Sequence, residues 1–106
     1  MKTVRHPIPR KMRIGSKQYS VEIVEAMLQK RHMGGINYGT QTIKLGLRSN
    51  VTNKSFAPTQ VQESFWHEVV HGILYDMGRD TLNANERFVT EFAHRLTKAI
   101  NSAKFE

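Results

Sequence analysis

Two histidines four residues apart enclose a glutamate in the segment His67-Glu68-Val69-Val70-His71. On an α-helix such a pair is rotated by about 40° and offset by roughly 6 Å along the axis, so both imidazoles project from one face and can meet on one metal ion. Zinc suits them, because it accepts neutral imidazole nitrogens at about 2.0–2.1 Å in tetrahedral geometry. Glu68 falls on the adjacent flank, where its carboxylate reaches a metal-bound water without ligating the metal. The chemistry of such a group is hydrolysis of a polarised carbonyl: the cation lowers the pKa of the water toward ~7, and Glu68 takes its proton as general base. The plainer alternative is a helix with incidental polar residues. Apolar neighbours argue against it, with Trp66 and Val70 flanking the ligands and expected to keep the site dry.

Two histidines do not complete a catalytic zinc site, which usually holds three protein ligands and one water. The chain has no cysteine, so the third ligand is an Asp, a Glu or His94. The same absence excludes disulfide frameworks, Cys-ligated zinc ribbons, iron–sulfur clusters and Cys nucleophiles. Glu86 and Glu91 are the main candidates, both on a second helix that returns after a short loop from Gly78. The plainer alternative for Glu86, the less favoured of its two readings, is a capping-box acid answering Asn83, and Glu91 reads more simply as a solvated surface charge. Tyr38, Tyr75 and His94 are donors that could stabilise an oxyanion near the metal. Tyr75, four residues after His71, also reads as a core tyrosine with its hydroxyl at the rim. Asp76 reads either as a partner of a ligand or as surface, and His6 and His32 read as incidental.

Positioning these groups requires a sheet and two helices. Met12 to Ile14 and Tyr19 to Val24 read as short strands around a Gly15-containing turn, the second alternating apolar and polar residues as a half-buried strand does. Gly34-Gly35 reads as a break. Ile36-Asn37-Tyr38 and Gln41 to Leu47 then form a hairpin about a Gly39-Thr40 turn, and the second of these strands is a candidate edge for an extended peptide. Arg48 to Pro58 reads as a loop. The motif helix is expected to start at Thr59, with Gln62 completing a capping box, and to stop at Gly78. A second helix is expected after an Asn83 cap, with Phe88, Val89, Phe92, Leu96 and Ile100 as its apolar stripe. The fold class is therefore α+β: a small, mostly antiparallel sheet followed by an active-site helix and a glutamate helix.

The chain has 106 residues and a formal net charge of +7, which fits one domain with one modest core. Residues 1–10 read as a flexible basic N-terminus, and Lys2, Arg5, Arg10, Lys11 and Arg13 concentrate charge at that end. The basic balance suggests weak nucleic-acid contact, an acidic substrate or solubility alone. No apolar run approaches the ~18 residues of a membrane span, and the N-terminus lacks the apolar stretch of a secretory signal. The expected location is cytoplasmic, with no membrane partner.

The segments Thr42 to Leu45 and Ser64 to Gly72 together resemble the core of ImmA/IrrE-type metallopeptidases, in which a hairpin strand precedes a His-Glu-x-x-His helix and a later helix carries a ligand Glu. Glu86 to Leu96 follows the spacing of that later helix, with Phe92-Ala93 six and seven residues after Glu86. Asn85-Glu86 is similar to the Asn-Glu pair of gluzincins, and the chain is close in size to the minigluzincins. The resemblance covers roughly residues 34–96. It implies a single zincin-like metallopeptidase domain, with His67, His71 and Glu86 holding Zn2+, Glu68 as general base and a protein or peptide as substrate. Thr90 stands where the gluzincin helix carries an Asp and the ImmA type often an Asn, and its hydroxyl would orient a ligand histidine more weakly. No DNA-binding helix-turn-helix, frequent in ImmA-type proteins, fits in this length, and the chain resembles small phage or mobile-element products. The alternative to an enzyme is a non-catalytic module in which zinc staples a basic domain that binds nucleic acid or a protein. A further version has the tail from Ile100 to Glu106 folding back to cap the metal.

Overall fold

The computed structural model describes residues 8–29 and 32–105. In chain order the elements are β1 (Lys11–Ile14), β2 (Lys17–Val24), β3 (Gly34–Asn37), β4 (Thr42–Gly46), α1 (Pro58–Met77), α2 (Asp80–Asn83) and α3 (Glu86–Ser102). The four strands form one mixed sheet in the order β1-β2-β4-β3. β1 pairs antiparallel with β2, whose turn uses Gly15 at a φ of 62°, a left-handed conformation that glycine adopts without a Cβ penalty. β3 and β4 form the expected antiparallel hairpin, and β2 runs parallel to β4.

The hairpin differs from its sequence reading in two ways. Gly34-Gly35 does not break the chain; it is the first half of β3. The turn spans residues 38–41, with Asn37 Oδ1 accepting from the Thr40 amide at 2.9 Å and Gln41 taking the positive φ. β4 lies between β2 and β3, so neither of its edges is open to a peptide. β3 is the edge strand instead.

α1 starts two residues earlier than the capping-box reading. Ala57 is its N-cap, Pro58 opens the first turn, and Gln60 Oε1 accepts from the Ala57 amide at 2.7 Å. Pro fits there because the first-turn N–H it lacks has no helical partner. Thr59 lies inside the helix and caps nothing. The C-terminus is as expected, with Gly78 left-handed at a φ of 72°. α3 is capped by Asn85, whose side chain accepts from the Phe88 amide at 3.0 Å, and not by Asn83. Asn83 is free for another role.

α1 packs on two sides. Val61, Phe65 and Val69 share a core with Ile14, Tyr19, Ile43 and Leu45 of the sheet, and Val70 and Leu74 meet Val89 and Ala93 of α3. Gly72 brings the helix close to the sheet: a Cβ there would lie 2.8 Å from Ile14 Cδ1. Of the expected basic N-terminus, residues 1–7 lie outside the described residues. Ile8 packs against the sheet core, and the Arg10 carbonyl accepts from the Val21 amide at 2.8 Å.

Candidate metal centre

The helical spacing brings the two imidazoles together as expected: the His67 and His71 rings lie 4.9 Å apart, on a helix held against the sheet. Glu86 enters from the first residue of α3. Its Oε1 lies 3.1 Å from His67 Nε2 and its Oε2 lies 2.9 Å from His71 Nε2. The three residues offer ligand atoms all within 4.8 Å of one another. Glu91 takes no part; it is exposed on α3, 3.9 Å from the Arg87 guanidinium.

Hydrogen bonding fixes what these atoms can do. Asn83 Nδ2 donates to the Tyr38 hydroxyl at 3.1 Å, which turns the Asn83 carbonyl toward His71, and His71 Nδ1–H donates to it at 2.6 Å. In the neutral imidazole the proton is then on Nδ1, and Nε2 presents a lone pair to the Glu86 carboxylate. Burial holds the His67 pKa below its ordinary value, with His71 adding to the effect and Glu86 opposing it, so neutral His67 likewise offers an electron pair. Two imidazole lone pairs and a carboxylate converging on one point repel each other unless a proton or a metal cation lies between them. That donor set, two nitrogens and a carboxylate oxygen, fits a divalent metal such as zinc.

Asn83 is the functional residue that sequence reasoning missed. The role of orienting a ligand histidine was expected of Thr90, which lies on an adjoining cavity wall and makes no side-chain hydrogen bond among the described residues. The available signal was a second asparagine in Asn83-Ala84-Asn85-Glu86: with Asn85 as the cap, Asn83 has no capping role.

Glu68 is 6% exposed and opens onto a cavity of about 600 Å³ that also includes His67, His71 and Glu86. Burial raises its pKa to about 7; the Glu86 carboxylate adds to the rise and His71 opposes it. A carboxylate poised near neutrality suits proton transfer at physiological pH. Gly34, Gly35 and Ile36 of the edge strand form another wall of the cavity, and Gln29, His32 and Tyr38 complete it. His32 therefore lies on the cleft wall. Its loop is tied down by the Arg48–Glu25 ion pair and by Asn50 Nδ2, which donates to the Met27 and Gln29 carbonyls at 2.6 and 2.8 Å.

The three oxyanion candidates separate. Tyr38 lies on the cleft wall, and burial raises its pKa so that the phenol keeps its proton. Tyr75 stacks on Tyr38 with centroids 3.9 Å apart, supporting it from outside the cleft. His94 is held away from the ligands by Glu63, 3.0 Å from its Nδ1. Asp76 lies against the Gly15 turn, far from any role as partner of a ligand. Trp66 and Val70 pack into the two cores and contribute no cleft wall.

His6 and Glu106 lie outside the described residues. Ile100 to Ser102 are the end of α3, about 24 Å along the helix from Glu86 at 1.5 Å per residue. Among the described residues no helix is long and apolar enough to cross a membrane.

No family model matches this chain, and no curated protein and no solved structure matches it either.

Proposed function

We propose that the protein is a zinc-dependent metalloendopeptidase of gluzincin type. The observation that carries the reading is the pairing of an open three-ligand site with a buried carboxylate that faces the same cleft without ligating. A staple for a non-catalytic module needs four ligands and a closed shell. Here the Glu86 side chain is 68% exposed, and the donors line an open cavity. Glu68 adds nothing to a staple, and its burial without a hydrogen-bond partner among the described residues carries a desolvation cost. Such a cost is characteristic of a working acid or base.

Zinc bound by His67, His71 and Glu86 would supply Lewis acidity toward a peptide carbonyl and toward water. The chain's own residues do the rest. Glu68 accepts the proton of the attacking water and delivers it to the leaving amine. Asn83 holds His71 in the tautomer that leaves Nε2 free. The Tyr38 hydroxyl, on the cleft wall, donates to the developing oxyanion, and Tyr75 buttresses its ring. The unpaired edge of β3 accepts an extended substrate by backbone hydrogen bonds.

The test is digestion of an unfolded protein substrate by zinc-loaded wild type and Glu68→Gln, with zinc content measured on both. Cleavage lost by at least 100-fold in Glu68→Gln, with zinc stoichiometry kept, is the expected result. A zinc-replete wild type that cleaves nothing would turn the reading to the stapled basic module. That module would show nucleic-acid affinity falling steeply with salt and unaffected by Glu68→Gln.

A further inference from the structure

A second cavity, of about 520 Å³, adjoins the metal cleft, and Gly34, His67 and Glu68 belong to the walls of both. A polypeptide crossing the metal site therefore has a distinct chamber on one side of it, lined by the first half of α1 and by Thr90, His94, Thr97, Lys98 and Asn101 of α3. We propose that this chamber reads the substrate side chain next to the scissile bond. It selects an uncharged side chain that ends in a hydrogen-bonding group, the Asn and Gln class, over aliphatic or charged ones. The inference deepens the peptidase reading and rests on it.

Ser64 carries the argument. It is 9% exposed, its hydroxyl has no hydrogen-bond partner among the described residues, and it lines the second cavity but not the first. It sits under the edge strand, where a Cβ on Gly34 would come within 2.7 Å of its Oγ. An aliphatic side chain filling the chamber would seal this hydroxyl away from water with nothing to bond, and an orphaned buried polar group is costly. A carboxamide brings both a donor and an acceptor. The buried Thr97 does not compete for it, because its hydroxyl already donates to the Ala93 carbonyl at 2.7 Å.

The charges around the chamber disfavour ionised occupants of either sign. An acidic side chain would share the chamber with Glu63 and Glu68. A basic one would share it with Lys98, and the Glu63 carboxylate that could pair with it is taken by His94 at 3.0 Å. More of the wall is carbon than polar atoms, which accommodates the methylene stem of such a residue.

The experiment uses the zinc-loaded full chain and peptidyl hydroxamates whose adjacent side chain is that of Gln, Leu, Glu or Lys, with acetohydroxamate as the probe without a side chain. Affinities are measured by calorimetry on wild type and Ser64→Ala. The Gln ligand is expected to bind about tenfold tighter than the Leu ligand, about 1.4 kcal/mol, with the Glu and Lys ligands weaker than Leu. Ser64→Ala is expected to bring Gln and Leu together while leaving acetohydroxamate unchanged. Leu binding as well as or better than Gln in wild type, or a Gln preference unmoved by Ser64→Ala, overturns the subsite alone. If no hydroxamate binds protein that retains its zinc, the metal has no open position, and the peptidase reading fails together with the subsite.

Discussion

The two packing surfaces of α1 are unequal. Behind it, against the sheet, Phe65 joins Tyr19, Ile43 and Leu45, each 1% exposed or less. In front, the buried residues are Val70 and Leu74 of α1 with Val89 and Ala93 of α3, and the apolar stripe of α3 leaves Phe92 49% exposed. The histidine ligands ride on the helix fixed by the larger cluster, whereas Glu86 rides on the helix fixed by the smaller one. A cation joining them fastens the helix held by the smaller cluster to the one held by the larger, so metal affinity and the docking of α3 are linked quantities.

The largest effect that tests this asymmetry is truncation in each cluster. Phe65→Ala should cost about 3–5 kcal/mol in metal-free protein, and Val89→Ala roughly 2 kcal/mol, read by urea unfolding with chelator present. Zinc should recover more of the loss in Val89→Ala, where it refastens α3, than in Phe65→Ala, where the damage lies behind the ligands. Equal recovery in both would break the comparison.

A second effect lies at the seam between the clusters. The Glu68 pKa stands at about 7 in the folded protein against an ordinary 4.5, so the native state holds a proton that the unfolded chain releases. Metal-free stability therefore falls as pH rises from about 4.5 to about 7. Glu68→Gln removes this penalty and should make the chelated protein about 3 kcal/mol more stable than wild type at pH 8. At pH 5 the gain should shrink to about a quarter of that. The groups facing Glu68 are His71, which opposes the shift, and the Glu86 carboxylate, which adds to it. A gain that does not change between pH 5 and pH 8 would show that Glu68 titrates like an exposed acid.

These contrasts also explain what could be read from the sequence. The histidine pair and Glu68 were legible because four-residue spacing on a helix is a local rule, and the apolar residues around them set the helix face. Glu86 was open between ligand and cap by spacing alone, and only the resemblance favoured it over Glu91. The order of the sheet was not legible. Whether β4 is an edge depends on its parallel pairing with β2, a contact between residues more than twenty apart. Gly34-Gly35 looked like a break because glycine weakens strands, yet at this edge the missing Cβ leaves room for Ser64. His32 gave no signal, since loop residues have no period.

The smallest expected effects come from the two asparagines whose roles the capping rule exchanged. Asn83→Ala removes the carbonyl that fixes His71 and should weaken zinc binding by about 10–100-fold, with the larger share of the loss in affinity and not in the fold. Asn85→Ala removes the bond to the Phe88 amide and should cost about 1 kcal/mol, a drop in Tm of about 4–8 °C for a domain of this size. Because Glu86 is the residue directly after that cap, fraying of the first turn of α3 loosens the carboxylate as well, so Asn85→Ala should lower zinc affinity by no more than the same 1 kcal/mol, about fivefold. Competition with a chromophoric chelator on both variants separates the two roles. An Asn85→Ala loss as large as that of Asn83→Ala would mean that the position of Glu86, and not the orientation of His71, governs the site.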